Sequence, residues 1–320
     1  MKIQSNGFIS ILDIHFGKKC NNRLDNIDET IKDKFSQIFL ECIEKNIKAI
    51  FIAGDVFENC SIDRKTLMLS YKIFNKFKNH GIQVFTIYGN HDEYRYNKEF
   101  RHLTPLKDLV DLGVINLMSD EKIQIENNGV VEYSIKGFDY LDTDKLKEYL
   151  KEDIVKTKTR TIAIGHCFYE NEFMGGKENI TKEDVEGSGI DFLILGHDHS
   201  HYNVELCDKT HIIRNGSVIR DSSSKNDMQR TPSVTIFQRI NGQYTVFNKE
   251  LKCEELKSVI STKNIVNKEQ NKIDFKEMIE AIKIDNETKE VDLISEAINN
   301  LENEDVKNTI RRFVKWSLKI

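Results

Sequence analysis

The sequence predicts an α/β fold in which two sheets pack as a β-sandwich flanked by helices, with a small helical C-terminal appendage. Three observations carry this expectation. Short apolar runs alternate with segments of helical period between residues 8 and 91, a second group of short apolar strands lies between residues 161 and 250, and amphipathic stripes follow residue 255. Alternation of strand and helix with right-handed crossovers yields a parallel sheet, and strands in close succession suit antiparallel pairing.

The first element is the run "FISILD", a strand. Residues 26–46 then place Ile27, Ile31, Phe35, Ile38, Phe39, Cys42 and Ile43 at helical spacing, so that this helix lies on a sheet. "AIFIAGD" at 49–55 is a second strand, residues 63–79 repeat the helical pattern through Leu67, Tyr71, Phe74 and Phe77, and "IQVFTIYGNHD" is a third strand. A helix near 99–111 and a strand-rich middle precede "TIAIGH" and "DFLILGHDHSH". "HIIRNGS", "SVTIFQRI" and "QYTVFNKEL" read as a second, antiparallel-leaning sheet. The division expected is a core domain over 1–255 and a linker with helical segments over 256–320.

Bulk composition excludes several classes. With 320 residues, 39% hydrophobic and 31% charged content and two prolines, the chain reads as an ordinary globular protein with room for a full core. No apolar run approaches the length of a membrane span, and "MKIQSNGFIS" lacks the apolar stretch of a signal peptide, so a cytoplasmic location is expected. Cysteines 20, 42, 60, 167, 207 and 253 form no C-x-x-C pair and are read as reduced thiols. The formal net charge of −5 argues against a surface coated for nucleic acid, so any polyanion site must be local or built on metal.

Polar residues gather where the strands end. Asp13 and His15 follow the first, Asp55 the second, Asn90 and His91 the third, His166 ends "TIAIGH", and His197 and His199 end "DFLILGHDH". Ligands of open α/β sheets bind beyond the carboxyl ends of strands. Two hard divalent cations need about four protein ligands each from oxygen and imidazole nitrogen, with one shared. Asp13, His15, Asp55, Asn90, His166, His197 and His199 satisfy that count if Asp55 bridges. Such a pair activates water and neutralises phosphate oxygens, and His91, outside the count, can protonate the departing oxygen. A lone "GNHD" or "GHDH" is as readily a turn; the ordered set is what points to a site. His201 reads as a surface histidine or a support for a ligand, His80, His102 and His211 as structural or solvent-facing, and Cys167 as a packed neighbour.

The ordered blocks "DIH", "GDVFE", "GNHD", "GH" at 165 and "GHDH" at 196 resemble the signature blocks of the calcineurin-like metallophosphoesterases. The resemblance implies that family's fold, one metal held by Asp13, His15, Asp55 and His199, and a second held by Asp55, Asn90, His166 and His197. It further implies His91 as the catalytic imidazole, held by Glu58, and manganese as the metal, with magnesium, iron or zinc as alternatives. Within the family the chain is most similar to the SbcD-type DNA nucleases, through the helical insertion between "DIHFG" and "GDVFE", the "GDVF" block and "GSVIR" at 216–220. This implies cleavage of DNA phosphodiesters in repair and recombination, an SbcC-type ATPase partner docked by the C-terminal helices, and a homodimer formed by helices near residues 60–110.

Leu12 departs from the family's small residue and is expected to alter packing, and SbcD-type proteins carry a larger capping domain than residues 256–320 provide. Lys18, Lys19 and Arg23, then Arg95, Lys98 and Arg101, then Arg214, Arg220 and Lys225 form a candidate basic rim, of which Lys18, Arg95 and Arg220 are the expected substrate contacts. Phe168, Tyr169, Phe173 and Met174, beside Gly175 and Gly176, either stack on a base or cover the sandwich end. A phosphoesterase acting on nucleotides or other small diesters is the competing function, and a metal-free scaffold is disfavoured by the complete ligand set.

Overall fold

The computed structural model describes residues 1–20, 23–118, 122–154, 157–170, 179–199, 203–220, 230–255 and 259. Along the chain the first strands and helices are β1 (Lys2–Gln4), β2 (Gly7–Ile11), α1 (Ile27–Glu44), β3 (Ala49–Ile52), α2 (Arg64–Asn79) and β4 (Gln83–Thr86). There follow α3 (Pro105–Asp111), β5 (Asn116–Leu117), β6 (Ile123–Asn127), β7 (Val130–Gly137), α4 (Thr143–Leu150), β8 (Arg160–His166), β9 (Phe168–Tyr169) and β10 (Asn179–Ile180). The last elements are α5 (Lys182–Val185), β11 (Phe192–Gly196), β12 (Asn203–Cys207), β13 (Thr210–Arg214), β14 (Ser233–Ile240) and β15 (Gln243–Glu250).

One sheet has the order β15-β14-β2-β3-β4-β5 and the other β1-β6-β7-β8-β11-β13-β12. In the first, β2, β3, β4 and β5 run parallel and their register sets Ile11 beside Ile52 and Ile52 beside Thr86, so these strands finish level. In the second, β7, β8, β11 and β13 run parallel, and His166 pairs with Gly196 at the end of β8 and β11.

Strand residues alternate between two apolar environments, as strands buried on both faces must. Phe8, Phe51 and Phe85 point into the space between the sheets, where they meet Tyr133, Ile164, Ile194 and Phe237. Ile9, Ile11, Ile50 and Ile52 face the other way, onto Phe35, Ile38, Phe74 and Phe77 of α1 and α2. On the far side, α4 covers the second sheet through Leu146, Tyr149 and Leu150 packed on Ala163, Leu193 and Leu195. The layers are therefore helix, sheet, sheet, helix, and Leu12 is buried between the sheets as packing.

Two expectations need correction. β14 and β15 do not join the second sheet: β14 pairs antiparallel with β2, and Phe237 stacks on Phe8 with ring centroids 4.3 Å apart. Thr210–Arg214 does enter the second sheet, antiparallel to β12 on one side and parallel to β11 on the other. An apolar alternation reports that a strand is buried and carries no information about its partner. The helix near 99–111 is divided into a 3-10 helix, Lys98–Leu103, and α3, because Pro105 offers no amide hydrogen to continue it and Thr104 caps the new start by accepting from Lys107 N at 3.3 Å.

All described residues fall within the unit Met1–Ser261. The expected helical segments after residue 259 lie outside the described residues. Among the described residues no helix is long and apolar enough to cross a membrane.

Candidate metal centre

The chain leaves β2, β3 and β11 through backbone conformations that side chains rarely adopt. Asp13, His15, Asp55 and His197 have φ of 40°, 57°, 48° and 93°. Such residues persist only where surrounding bonds over-determine them, and they concentrate at functional sites. Those bonds are present: the Asp55 carbonyl accepts from Ile14 N at 2.9 Å and His15 N at 3.0 Å, joining the loops after β2 and β3. The Asp13 carboxylate accepts from His197 N at 3.0 and 3.2 Å, joining the two sheets, and the Asp13 carbonyl accepts from Val218 N at 3.3 Å, which places "GSVIR" against the first block.

Asp13, His15, Asp55 and His199 each offer a ligand atom, all within 4.8 Å of one another, and Asp55, His166 and His197 form a second such group. Asp55 belongs to both. Its Oδ2 lies 3.6 Å from His15 Nε2 and 3.3 Å from His166 Nε2, and is buried with no hydrogen-bond partner, while Oδ1 accepts from His91 N at 2.9 Å. His15 Nε2 faces His199 Nε2 at 2.8 Å, His166 Nε2 faces His197 Nδ1 at 3.2 Å, and Asn90 Oδ1 lies 2.9 Å from His166 Nε2. Converging imidazole nitrogens around an orphaned buried carboxylate oxygen are a donor set for divalent cations, since an unmet buried acceptor is otherwise costly. The residues present fit two metal ions.

Hydrogen bonds behind the ligands fix which nitrogen is offered. His166 Nδ1 sits 2.7 Å from the Ala53 carbonyl, which makes Nδ1 the protonated atom and leaves Nε2 for a metal. Burial opposes a charge on His166, but the Asp55 carboxylate, followed by Asp13, raises its pKa to about 9. Burial, then the neighbouring His166, lowers His197 to about 4, and burial lowers His15. Burial works against the Asp55 anion, yet His166, His15 and His91 hold this carboxyl far below the usual carboxylate range.

His91 is positioned by main-chain groups. Its Nδ1 lies 2.6 Å from the Glu58 carbonyl, which leaves Nε2 as the acceptor or donor toward a ligand. The expectation that the Glu58 side chain holds His91 is corrected: Glu58 Oε2 lies 2.9 Å from His15 Nδ1 and 3.5 Å from Lys18 Nζ. A spacing of three residues fixes the neighbourhood of Glu58 but leaves open which of its groups faces which imidazole.

The basic rim is thinner than expected. Lys98 pairs with Asp142, and Arg101 donates to Asp139 at 2.7 Å and to Glu93, lying over the Tyr88 ring at 3.9 Å. Both are committed to the fold. Arg220 donates to the Arg230 carbonyl at 3.0 Å and lines a cavity of about 480 Å³ with Arg23, Lys34 and Lys252, apart from the ligand groups. Arg95 is exposed, beside Tyr94, and Lys18 stands next to Glu58 at the centre itself. Cys167 is buried and its thiol is pushed up to about 12, as suits packing. His201, Phe173, Met174, Gly175, Gly176 and Lys225 lie outside the described residues.

Asp92 was legible in "GNHD" but had no role from sequence. Its buried carboxylate accepts from Val56 N at 3.1 Å, Phe57 N at 2.9 Å and Gly89 N at 3.1 Å, clamping the loop of Asp55 to the loop of Asn90 and His91. Asp92→Ala is expected to weaken manganese binding by about 10–100-fold, the usual cost of losing a group that orients metal ligands. Titration calorimetry checks this, and wild-type affinity in the variant contradicts it.

Residues 12–201 match the family described as calcineurin-like phosphoesterase. The DNA double-strand break repair protein Mre11 of Sulfolobus acidocaldarius is 27% identical over 233 residues, 72% of this chain and 57% of that protein. Its counterpart from Saccharolobus solfataricus is 25% identical over 272 residues, 80% of this chain and 63% of that protein. The chain thus spans less than two thirds of the length of either relative. A dimetal phosphatase from Danio rerio covers 78% of this chain, and 98% of its own, at 10% identity and a TM-score of 0.48. The family match takes in every strand-end residue gathered above and more than half of the sequence, so the chain belongs to the calcineurin-like phosphoesterase family.

Proposed function

We propose that the protein is a metal-dependent phosphodiesterase that hydrolyses DNA phosphodiester bonds, an SbcD-type nuclease of repair and recombination. The observation that carries the chemistry is the buried Asp55 Oδ2, which lacks a hydrogen-bond partner and lies between the His15 and His166 nitrogens. Asp13, His15, Asp55 and His199 would hold one cation, and Asp55, Asn90, His166 and His197 would hold the other. Two divalent cations, manganese foremost, supply activation of water and neutralisation of phosphate charge when bound. His91, fixed through Nδ1, uses Nε2 to contact the phosphate and to protonate the departing oxygen. Lys18 adds positive charge beside the centre. The choice of DNA is supported by the likeness to the Mre11 proteins, which are DNA double-strand break repair proteins. An SbcC-type ATPase partner, a homodimer and a cytoplasmic location complete the reading.

The internal pairing of Lys98 and Arg101 favours a second reading, a phosphoesterase acting on nucleotides or other small diesters. Manganese-loaded protein is to be incubated with labelled duplex and single-stranded oligonucleotides, and with free nucleotides. Cleavage of oligonucleotides is expected. Intact oligonucleotides beside fast nucleotide turnover replace the DNA reading with the small-molecule one.

Metal affinity is expected to rise with pH. His166 without metal stays protonated until its raised pKa of about 9 is passed, and a ligand nitrogen must shed its proton to bind. Below that value binding therefore releases a proton, and affinity falls as acid is added. Calorimetry in buffers of different ionisation enthalpy reads this release; a pH-independent affinity between pH 6 and about 9 contradicts it.

A further inference from the structure

Tyr96 is an exposed aromatic side chain, 63% accessible, that the chemistry above does not use. It follows Arg95, and the two have left-handed φ of 54° and 51°, consecutive strained residues in one loop. Its neighbour Tyr94 packs on Phe100 at 6.0 Å between ring centroids, whereas the Tyr96 ring lies 6.1 Å from Tyr140. The Tyr140 ring in turn stands 5.8 Å from that of His197 and 6.2 Å from that of His166. An aromatic path thus runs from the Asp55, His166 and His197 group to the surface.

The path is rigid. Asn97 caps the 3-10 helix by accepting from Glu99 N at 3.0 Å, Lys98 pairs with Asp142, and Arg101 donates to Asp139 at 2.7 Å, tying the Tyr96 loop to the turn that carries Tyr140. The Tyr140 amide donates to the Tyr88 carbonyl at 2.8 Å, which fixes that turn on the extension of β4. The Tyr96 ring is backed on one side by Tyr140 and leaves most of its surface open to a ligand. Every nucleobase has a π-face that such a ring can stack on without reading sequence, and the exposed Arg95 guanidinium supplies charge for an adjoining phosphate.

We propose that Tyr96, backed by Tyr140, is the stacking platform for an unpaired nucleobase next to the phosphate received by the metal centre. This rests on the phosphodiesterase reading and narrows its substrate to nucleotides whose base is free to unstack, as at strand ends and in single strands.

The test uses manganese-loaded full-length wild type, Tyr96→Ala and Tyr96→Phe. Substrates are a single-stranded oligonucleotide, the same strand made abasic beside the scissile bond, and thymidine 5′-(p-nitrophenyl phosphate). Tyr96→Ala is expected to raise KM for the natural strand by about 5- to 150-fold, the range of one base-to-aromatic stack, with kcat nearly unchanged. Tyr96→Phe should retain wild-type KM, and the abasic strand should abolish the difference between wild type and Tyr96→Ala. An unchanged KM in Tyr96→Ala, or an equal loss on the abasic strand, overturns the platform. Turnover of the thymidine ester with the same Tyr96 dependence, but no cutting of oligonucleotides, removes the DNA reading and leaves the platform standing. Turnover of neither removes both.

Discussion

Asp55→Asn is expected to leave a protein that folds but no longer retains two manganese ions, with phosphodiesterase turnover lower by on the order of 10³-fold or more, the equivalent of several kcal/mol of lost charge stabilisation. The substitution keeps the size of the side chain and an oxygen able to accept from His91 N, which now bonds Oδ1 at 2.9 Å. What changes is Oδ2. It lies 3.6 Å from His15 Nε2 and 3.3 Å from His166 Nε2, buried and without a hydrogen-bond partner, and an amide there brings hydrogens where a shared anion is needed. Loss of the charge also removes the largest influence raising His166, so its pKa should fall. Metal analysis after gel filtration gives the stoichiometry. A thermal melt gives a second measure, because ligand at 100 times its Kd stabilises by about 2.7 kcal/mol and the variant should lose that response. Two ions per chain and wild-type turnover in Asp55→Asn contradict the bridging role.

His91→Ala is expected to lower kcat for bis-p-nitrophenyl phosphate by about 10²–10⁴-fold, the usual contribution of a general acid, while metal content stays at the wild-type value. His91 shares a ligand-like cluster with His15 and Glu58, but it is absent from both groups that contain Asp55. Its backbone amide, which secures Asp55 Oδ1, survives the substitution, so the metals keep their frame. A variant that loses metal and regains full speed on reloading shows His91 to be a ligand rather than the acid.

How far the sequence was legible depended on distance along the chain. The order β2, α1, β3, α2, β4 was readable because periods of 2 and 3.6 are local, and the polar residues at those strand ends marked the site. Which sheet β14 joins was not readable, since its pairing with β2 joins Phe237 to Phe8 across most of the domain. Lys98 looked like a free cation because its partner, Asp142, lies 44 residues further on, and Arg101 because the pocket formed by Glu93 and Asp139 exists only once the two loops meet. Glu58 was found in the right place, but it meets His91 through its carbonyl and His15 through its carboxylate, a matter of rotamer and loop path that spacing cannot encode. Asp92 was visible, but only the three amides converging on its carboxylate give it a task.

Asp13 bonds the amide of His197, and Asp55 stands against His166, so each half of the centre draws on both sheets. The donor set thus spans the domain from Asp13 to His199, and a chain ending before residue 199 carries only part of it.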